Sequence, residues 1–317
     1  MVDTFNRNIT YLRLSVTDLC NLRCRYCMSA EGICVKRAHE DMLTEEEMIL
    51  AVEAAADIGI RKLRITGGEP LVKKNILSIC RRAAGVAGIG EVCMTTNGIL
   101  LPQLARPLRE AGVSRLNISI DTLDEVGYRF ITRQGSLRDA LAGLEAALAA
   151  GFNQIKINAV LIGGFNESQI PALAELTRRY PVDVRFIELM PMFDNPDFGK
   201  DAYVPGARVL EVLPELSQEH HDGVAAMYRL PGAQGRVGLI NPLSNHFCGE
   251  CNRLRLTADG KLKPCLHSSQ ELSIKGMTRQ EMAEQMKRAI AAKPEHHVPL
   301  SCRELSEAGR SMNQIGG

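Results

Sequence analysis

Short β-rich runs alternate with longer helical patterns between residues 11 and 190, and this alternation restricts the fold more than any other feature of the chain. Strands separated by helices are typical of parallel βαβ units with right-handed crossovers. The predicted strands are residues 11–16, 61–66, 91–95, 115–120, 154–161 and 183–189. Among the predicted helices, residues 44–58 begin with capping-box spacing, and residues 137–150 precede a glycine that suits a C-cap. The sequence therefore predicts an α/β fold whose six units form an open sheet or a partial barrel.

Polar and apolar side chains alternate along several of these strands. Lys62, Arg64 and Thr66 are separated by apolar residues, and the pattern recurs over residues 115–121 and 155–158. If helices cover the apolar face, the polar face must line a lumen, where buried cations need anionic partners. A strand end or a solvated face would accommodate any single Lys or Arg side chain. Because the pattern repeats over several strands, we expect a polar cavity suited to a phosphorylated ligand.

Composition and charge exclude several classes of protein. The 38 Lys and Arg residues nearly balance the 37 Asp and Glu residues, so no overall positive field suggests a nucleic-acid partner. No apolar run approaches the ~18 residues of a membrane span, and the first residues do not resemble a signal peptide. We therefore expect a cytoplasmic protein with no membrane partner. In a reducing compartment, its ten cysteines favour metal ligation or catalysis over disulfides.

Three cysteines follow the first predicted strand with C-x3-C-x2-C spacing: Cys20, Cys24 and Cys27. The carboxyl ends of strands are where α/β barrels place their chemistry. Three thiolates can hold three irons of a [4Fe-4S] cluster and leave the fourth iron open to another ligand. A structural zinc site, or a fully ligated cluster with Cys34 as fourth ligand, remains an alternative on spacing alone.

A second triplet lies nearer the C-terminus and comprises Cys248, Cys251 and Cys265. It also lacks an obvious fourth cysteine, although His267 could complete a Cys3His zinc site. Arg253 and Arg255 lie between these cysteines and, two residues apart, share one face of a strand. Guanidinium groups beside a metal site indicate a charged substrate rather than a purely structural centre.

The pattern becomes looser after about residue 193. Hairpin-like runs are predicted over residues 225–230 and 237–240, and a helix is predicted over residues 278–293. These observations suggest two regions, a barrel of residues 1–195 and a C-terminal extension of residues 196–317.

The segments TDLCNLRCRYCM and GGEP resemble the cluster-binding loop and the cofactor-binding segment of radical S-adenosylmethionine enzymes. With the second triplet and the terminal glycines, the chain resembles the GTP 3',8-cyclase family, which begins molybdenum cofactor biosynthesis. The resemblance covers residues 11–317 and includes YLRLSVTDLCNLRC, RITGGEP, TTNG, NISID, KIN, RFIELM, FCGECNRLRL and the final GG. It implies an incomplete (βα)6 barrel with a C-terminal extension that carries an auxiliary cluster. Ser29 stands where the family often has Pro, a difference that leaves every ligand in place.

The resemblance also implies a set of site residues. Two [4Fe-4S] clusters would be held by the two triplets, and S-adenosylmethionine would contact Tyr26, Gly68, Ser119 and Met190. The residues expected to contact GTP are Arg13, Lys62, Arg64, Thr95, Lys156, Arg253 and Arg255. Lys62 joins this set because it shares the strand face of Arg64. The expected catalytic residues are Arg253, Arg255, Gly316 and Gly317; a disordered terminus is the alternative interpretation of the two glycines.

The implied reaction is that of a radical lyase. A 5'-deoxyadenosyl radical would remove a hydrogen from the GTP ribose, and the product would be (8S)-3',8-cyclo-7,8-dihydroguanosine 5'-triphosphate. The implied partners are an electron donor such as flavodoxin or ferredoxin and a downstream cyclic pyranopterin monophosphate synthase; a homodimer is left open.

Two alternatives come from other classes of protein. One is a radical S-adenosylmethionine maturase that modifies peptides and carries an auxiliary cluster. The other is a non-enzymatic metal-binding or electron-transfer module. Such maturases usually carry more cysteines in their C-terminal region than the three found here between residues 248 and 265. That difference and the glycine tail argue against the maturase.

Overall fold

A computed structural model describes residues 1–32, 38–192, 197–298, 300 and 305–316. Six parallel strands form the centre of its sheet: β1 (Tyr11–Ser15), β2 (Lys62–Thr66), β3 (Glu91–Thr96), β4 (Arg115–Ser119), β5 (Ile155–Leu161) and β6 (Val182–Glu188). The helices between them are α1 (Glu45–Asp57), α2 (Ile76–Ala84), α3 (Leu101–Glu110), α4 (Glu125–Thr132), α5 (Leu137–Ala149) and α6 (Ile170–Arg179). The six predicted strands are confirmed to within one residue at each end.

The C-terminal residues extend this sheet at both edges. They form α7 (Ala207–Val212), β7 (Ser217–Asp222), β8 (Ala225–Arg229), β9 (Val237–Ile240), β10 (Arg253–Leu256), β11 (Lys261–Lys263), β12 (Leu272–Ser273), α8 (Arg279–Ala291) and α9 (Met312–Ile315). β9 pairs in parallel with β6, and β10 pairs in parallel with β1. The sheet order is β12-β11-β10-β1-β2-β3-β4-β5-β6-β9-β8-β7 over the described residues. The edge strands β12 and β7 do not pair with each other there, so the barrel is incomplete, as expected.

The apolar face of the sheet forms the core. Leu12, Leu14, Leu63, Ile65 and Ile157 are fully buried and pack in one cluster with apolar residues of α1 to α6. The polar side chains that alternate with these apolar residues along each strand point to the opposite face of the sheet. The helices therefore cover the apolar face, and the polar face is left to line the interior.

Local sequence signals explain where several helices begin and end. At α1 the Thr44 hydroxyl accepts a hydrogen bond from the Glu47 backbone amide, and the Glu47 carboxylate accepts one from the Thr44 backbone amide. Thr278 and Glu281 form the same capping box at α8. Gly151 follows α5 with φ +81°, a left-handed conformation that favours glycine.

The extension contains three strands that the pattern did not predict, the short β11 and β12 and the longer β7. β7 has the sequence SQEHHD, whose side chains are mostly exposed, and it pairs only with β8. Because it lies at an edge with both faces polar, it carries no apolar alternation. The boundary near residue 195 stays a prediction. Within the described ranges, no helix is long and apolar enough to cross a membrane.

Candidate active site

The polar face of the barrel encloses a chamber of about 530 Å³. All six cysteines of the two triplets line it: Cys20, Cys24, Cys27, Cys248, Cys251 and Cys265. So do eleven other residues expected at the site: Arg13, Tyr26, Lys62, Arg64, Gly68, Thr95, Ser119, Lys156, Met190, Arg253 and Arg255. The fold thus brings the two triplets and the basic residues to one cavity. Gly317, also expected there, lies outside the described residues.

Strand register explains how residues distant in the sequence meet in this chamber. Arg13 on β1 stands beside Arg64 on β2 and beside Arg255 on β10. Asn117 on β4 stands in the same way between Thr95 and Lys156. Because partners in register point to the same face of a sheet, each row presents its polar side chains to the lumen.

The chamber is strongly cationic. Among the described residues, its walls carry nine Lys and Arg side chains but only five Asp and Glu side chains. Burial, together with the charge of Arg253, lowers the pKa of Arg255 to about 10. Burial and the charge of Arg255 likewise lower the pKa of Arg13. These groups disfavour one another's charge, so an anionic ligand would relieve the repulsion.

Several buried polar atoms of the wall have no hydrogen-bond partner within the described ranges. They are Asn117 Oδ1, Asn158 Oδ1, Arg185 Nε and Arg253 Nε. Leaving buried donors and acceptors unpaired costs free energy, so such groups call for an explanation. Here they suit a polar ligand that offers both donors and acceptors.

The first triplet lies in a loop between β1 and α1. Burial raises the pKa of the Cys20 thiol to about 11 and that of Cys27 to about 12. The three thiols form no disulfide. The backbone of Gly68 packs tightly against this loop: a Cβ atom at this position would lie 2.3 Å from the Leu19 carbonyl oxygen. The thiol donors and the close packing fit an iron-sulfur cluster open to the chamber.

Two buried carboxyl groups organise the strand ends around this loop. The Asp121 carboxylate accepts hydrogen bonds from the Tyr26 hydroxyl and from the Val160 backbone amide, each at 2.8 Å. Glu69 accepts from the Asn97 amide, the Thr96 hydroxyl and the Leu71 amide, at 2.7 to 3.0 Å. Burial raises the pKa of Asp121 to about 6 and that of Glu69 to about 7. Glu69 belongs to the GGEP segment predicted to bind the cofactor, although no role was assigned to its carboxylate. Asp121 belongs to the polar alternation of its strand but was not predicted as a site residue.

Buried cations support the loop of the second triplet. Arg7 donates to the Cys248 carbonyl at 2.9 Å and forms an ion pair with Asp3 at 2.6 Å. Lys293 donates to the carbonyls of Arg253 and Pro264, and its Nζ lies 3.8 Å from Cys251 Sγ. Neither Arg7 nor Lys293 has a sequence motif that would have identified it.

The environment of the second triplet also affects ionisation. Burial raises the pKa of Cys251, but Lys293 and Arg253 outweigh that effect and lower the pKa. His267 also lines the chamber, and burial together with His297 lowers its pKa to about 3. His297 also lines the chamber and contacts the His267 ring at a centroid distance of 5.0 Å.

The described residues include no group of three or more Cys, His, Asp or Glu side chains arranged to hold a single metal ion. Thiolates of a cubane bind different iron atoms and need not converge on one point. Cys34, the alternative fourth ligand, lies outside the described residues.

The C-terminal tail reaches the chamber through Met312 and Asn313, which line it; Gly316 lies beside the wall and is not among the described lining residues. The Gly316 carbonyl accepts hydrogen bonds from the guanidinium groups of Arg255, at 2.9 Å, and Arg13, at 3.4 Å. Gly316 has φ +84°, and a Cβ there would lie 2.4 Å from Thr66 Oγ1. Asn313 donates to the Asp18 carbonyl at 3.1 Å. Only glycine suits this position, both in conformation and in space.

A carboxylate on the opposite wall contacts two cations. Asp222, at the end of β7, pairs with Lys156 and with Arg185, the latter at 2.6 Å. Alternation along β6 could have identified Arg185, which lies between buried Val184 and Phe186. Asp222 gave no such signal.

Family comparisons match nearly the whole chain. The model of the radical SAM superfamily matches residues 14–177, and that of the molybdenum cofactor synthesis C-terminal domain matches residues 182–299. The GTP 3',8-cyclase of Alkaliphilus oremlandii is 47% identical over 322 residues, and that of Moorella thermoacetica is 48% identical over 332 residues. Both alignments cover 100% of this chain and 100% of the relative.

Solved structures with the same fold are much more distant in sequence. Streptococcus suis SuiB bound to S-adenosylmethionine is 14% identical with a TM-score of 0.65, covering 91% of this chain and 67% of SuiB. Native anSMEcpe with bound AdoMet is 14% identical with a TM-score of 0.60, covering 92% of this chain and 82% of that one. At this identity the likeness concerns the fold alone.

Proposed function

The chain belongs to the GTP 3',8-cyclase family of radical S-adenosylmethionine enzymes, and from this membership we propose how its chamber binds and cyclises GTP. The enzyme is a lyase of the first step of molybdenum cofactor biosynthesis, and it uses two [4Fe-4S] clusters and S-adenosylmethionine. One observation carries the assignment of roles: both cysteine triplets and nine cationic side chains of the described chain line the same cavity.

The cysteine triplets supply the cluster ligands in this proposal. Cys20, Cys24 and Cys27 hold the cluster that binds S-adenosylmethionine, and Cys248, Cys251 and Cys265 hold the auxiliary cluster. When bound, the first cluster and S-adenosylmethionine supply the radical that takes a hydrogen atom from the GTP ribose. Tyr26, Gly68, Ser119 and Met190 contact S-adenosylmethionine. Three of these four lie at or just beyond the carboxyl ends of β2, β4 and β6, where barrel enzymes place reacting groups.

Six cationic residues and Thr95 hold GTP in this proposal. Arg13, Lys62, Arg64, Thr95 and Lys156 contact the nucleotide from β1, β2, β3 and β5, and Arg253 and Arg255 contact it from β10. A triphosphate bound by charged donors on separate strands cannot rotate. The ribose of the same nucleotide is then held in one orientation, with one of its hydrogens within reach of the radical. Selectivity must come from this positioning and from exclusion of water, because a primary carbon radical attacks most nearby C–H bonds.

The tail completes the chamber. In this proposal the Gly316 carbonyl orients Arg255 and Arg13, and the two terminal glycines place no side chain in the reacting space. Arg253, Arg255, Gly316 and Gly317 therefore act as the catalytic set, by holding GTP and the reacting centre in one geometry.

The test is anaerobic reconstitution with GTP, S-adenosylmethionine and a reductant, with 5'-deoxyadenosine and cyclised nucleotide measured together. Lys156→Met and Arg255→Met should each lower the rate of cyclised-nucleotide formation by about 10²-fold or more, because they misplace the substrate. Lys287→Met, on the exposed face of α8, is the matched control and should leave the rate unchanged. Formation of 5'-deoxyadenosine without any cyclised nucleotide in the unmodified enzyme would refute the substrate assignment.

Several partners remain predictions. We propose an electron donor such as flavodoxin or ferredoxin, a downstream cyclic pyranopterin monophosphate synthase, and a homodimer as one possible assembly. A cytoplasmic location likewise rests on the sequence.

A further inference from the structure

The hairpin of β7 and β8 places one carboxylate in the wall of the chamber. Asp222 is the last residue of β7, and residues 222–224 at the hairpin tip line the cavity. The Asp222 carboxylate binds the Lys156 ammonium and the Arg185 guanidinium at once, and its Oδ2 is 2.6 Å from Arg185 Nη2. The substrate site therefore holds an anion that belongs to the protein.

Asp222 is the carboxylate in direct contact with both cations, whereas Asp183 acts on them through its charge, with no ion pair to either among the residues that the structure describes. Lys156 and Arg185 lie on neighbouring strands, and only 11% of each side chain is exposed to solvent. Burying two like charges without a counter-ion is costly, so a carboxylate between them stabilises the unliganded chamber. Lys156 and Arg185 lower the pKa of Asp222 to about 2 against the opposing effect of burial, so the group is anionic at neutral pH.

The same cations suit a phosphate group. Arg185 Nε has no hydrogen-bond partner in the described part of the chain, so the guanidinium retains a donor for a second contact. Guanidinium groups bind phosphate oxygens in a bidentate manner, whereas Asp222 occupies only Nη2. A phosphate that bound while Asp222 stayed in place would put like charges side by side, which is unfavourable. Occupancy by phosphate and occupancy by Asp222 therefore exclude each other.

Asp222 is also the member of this cluster that is best placed to leave. Its side chain is 40% exposed, against 11% for each cation. It lies on an edge strand whose register shifts between Gln218 and His221 and whose side chains are mostly exposed. Such segments open at low free-energy cost, whereas β5 and β6 are held on both sides within the sheet.

We propose that Asp222 is a built-in competitor of the GTP triphosphate: its carboxylate occupies the anion site of Lys156 and Arg185 and leaves when the phosphates bind. This inference rests on the proposed function, in which Lys156 contacts GTP. Asp222 thereby sets the affinity for the substrate, because only the fraction of molecules with the carboxylate displaced is competent to bind phosphate. Ligands without phosphates do not compete with it.

The experiment is calorimetric titration of the reconstituted enzyme, without reductant, with GTP and with guanosine. Asp222→Asn keeps the shape but removes the charge, so we expect the Kd for GTP to fall about 10-fold or more. The Kd for guanosine should change less than 2-fold, because the nucleoside carries no phosphate. Asp222→Glu retains the carboxylate and should bind GTP within a few-fold of the unmodified enzyme. Glu215→Gln, an exposed residue just before β7, makes the same change in net charge and should leave both values unchanged.

The outcomes separate the two proposals. An unchanged or higher Kd for GTP in Asp222→Asn, with saturable GTP binding by the unmodified enzyme, would overturn the competitor role and leave the proposed function standing. A higher Kd would assign Asp222 instead to the orientation of Lys156. If neither enzyme binds GTP saturably, the proposed function fails and this inference fails with it.

Discussion

Lys293 is a single buried ammonium that ties together the loop of the second triplet. Its Nζ donates to the Arg253 carbonyl at 2.8 Å and to the Pro264 carbonyl at 2.7 Å, and lies 3.8 Å from Cys251 Sγ. Only 4% of the residue is exposed. Groups that support metal ligands in this way orient them, and their loss typically weakens metal affinity 10- to 100-fold.

We therefore expect Lys293→Met to release the auxiliary cluster more readily, with affinity lower by about 10- to 100-fold. Iron and sulfide retained after dialysis against a chelator would measure the effect. Lys287→Met removes the same charge from an exposed position and is the control. Equal retention of iron by the two variants would show that Lys293 does not support the cluster.

Glu69 links the loop after β2 to the end of β3 through a buried carboxyl group. Burial raises its pKa from 4.5 to about 7, so the folded state binds this proton more tightly than the unfolded state does. Its contribution to stability is therefore complete below pH 4.5 and is lost as the pH rises through about 7. The free energy of unfolding should accordingly fall with pH across this interval.

Glu69→Gln cannot ionise, so we expect a smaller decrease in stability between pH 4.5 and 7 than in the unmodified enzyme. Anaerobic thermal unfolding at several pH values would measure the slope. Absolute stability should fall at every pH, because the Gln amide nitrogen cannot accept the backbone hydrogen bond, from Asn97 or from Leu71, that the oxygen it replaces receives. Parallel pH profiles for the two proteins would contradict the assignment.

At the level of elements, α8 connects the rest of the fold to the chamber. The Thr278–Glu281 capping box fixes its first turn, and Arg279 pairs with Asp57 of α1 at 2.7 Å. Lys293 follows two residues after the last residue of α8. The helix therefore sets where the buried ammonium lies, although none of its first-turn residues lines the chamber.

Thr278→Ala should destabilise the enzyme by about 1 kcal/mol, because an N-cap hydroxyl satisfies a backbone amide that alanine cannot. In a chain of 317 residues the midpoint of thermal unfolding should fall by about 1–2 °C. Thr278→Ser keeps the hydroxyl and should change the midpoint little. The Kd for GTP should stay the same in both variants, and a large change in Kd would mean that the cap controls the site directly.

At the level of the whole molecule, an ionic network fixes the C-terminal tail against the extension. Arg310 binds both oxygens of Asp259 at 3.0 Å and both oxygens of Glu271 at 2.6 Å. Lys263, which is fully buried, also contacts Glu271. Six residues later, the Gly316 carbonyl accepts a hydrogen bond from Arg255, which lines the chamber. Anchoring at Arg310 thus limits how far the end of the tail can leave the site.

We expect Arg310→Met to lower the rate of GTP cyclisation at least 10-fold, because the last residues lose their anchor and their position. Cleavage of S-adenosylmethionine should persist, since the first triplet does not contact Arg310, so the ratio of 5'-deoxyadenosine to cyclised nucleotide should rise. Faster removal of the tail by a carboxypeptidase would report the release directly. Arg288→Met, on an exposed face of α8, is the control, and a normal product ratio in Arg310→Met would refute the anchoring role.

The strands of the barrel could be predicted because their signals are local. In β2 and β5 apolar and polar residues alternate, and each strand is bounded by turn or cap residues, so each was predicted within one residue. β7 could not be predicted in this way, because an exposed edge strand has no buried face and its extended form depends on pairing with β8. Tertiary pairing, rather than propensity, forms that strand.

Local sequence patterns identify the donor types and their spacing: two cysteine triplets, a polar strand face and a terminal glycine. These are properties of neighbouring residues, which the period of a strand and the reach of a loop fix. The pairing of β10 with β1, by contrast, is a property of the tertiary structure. This pairing sets Arg255 beside Arg13 and places the second triplet in the chamber that the first triplet lines. The whole fold determines this arrangement. It also decided that Asp222, Arg7 and Lys293 meet residues 37 or more positions away. Contacts over such separations depend on strand register and helix packing across the whole fold, and no local pattern encodes them.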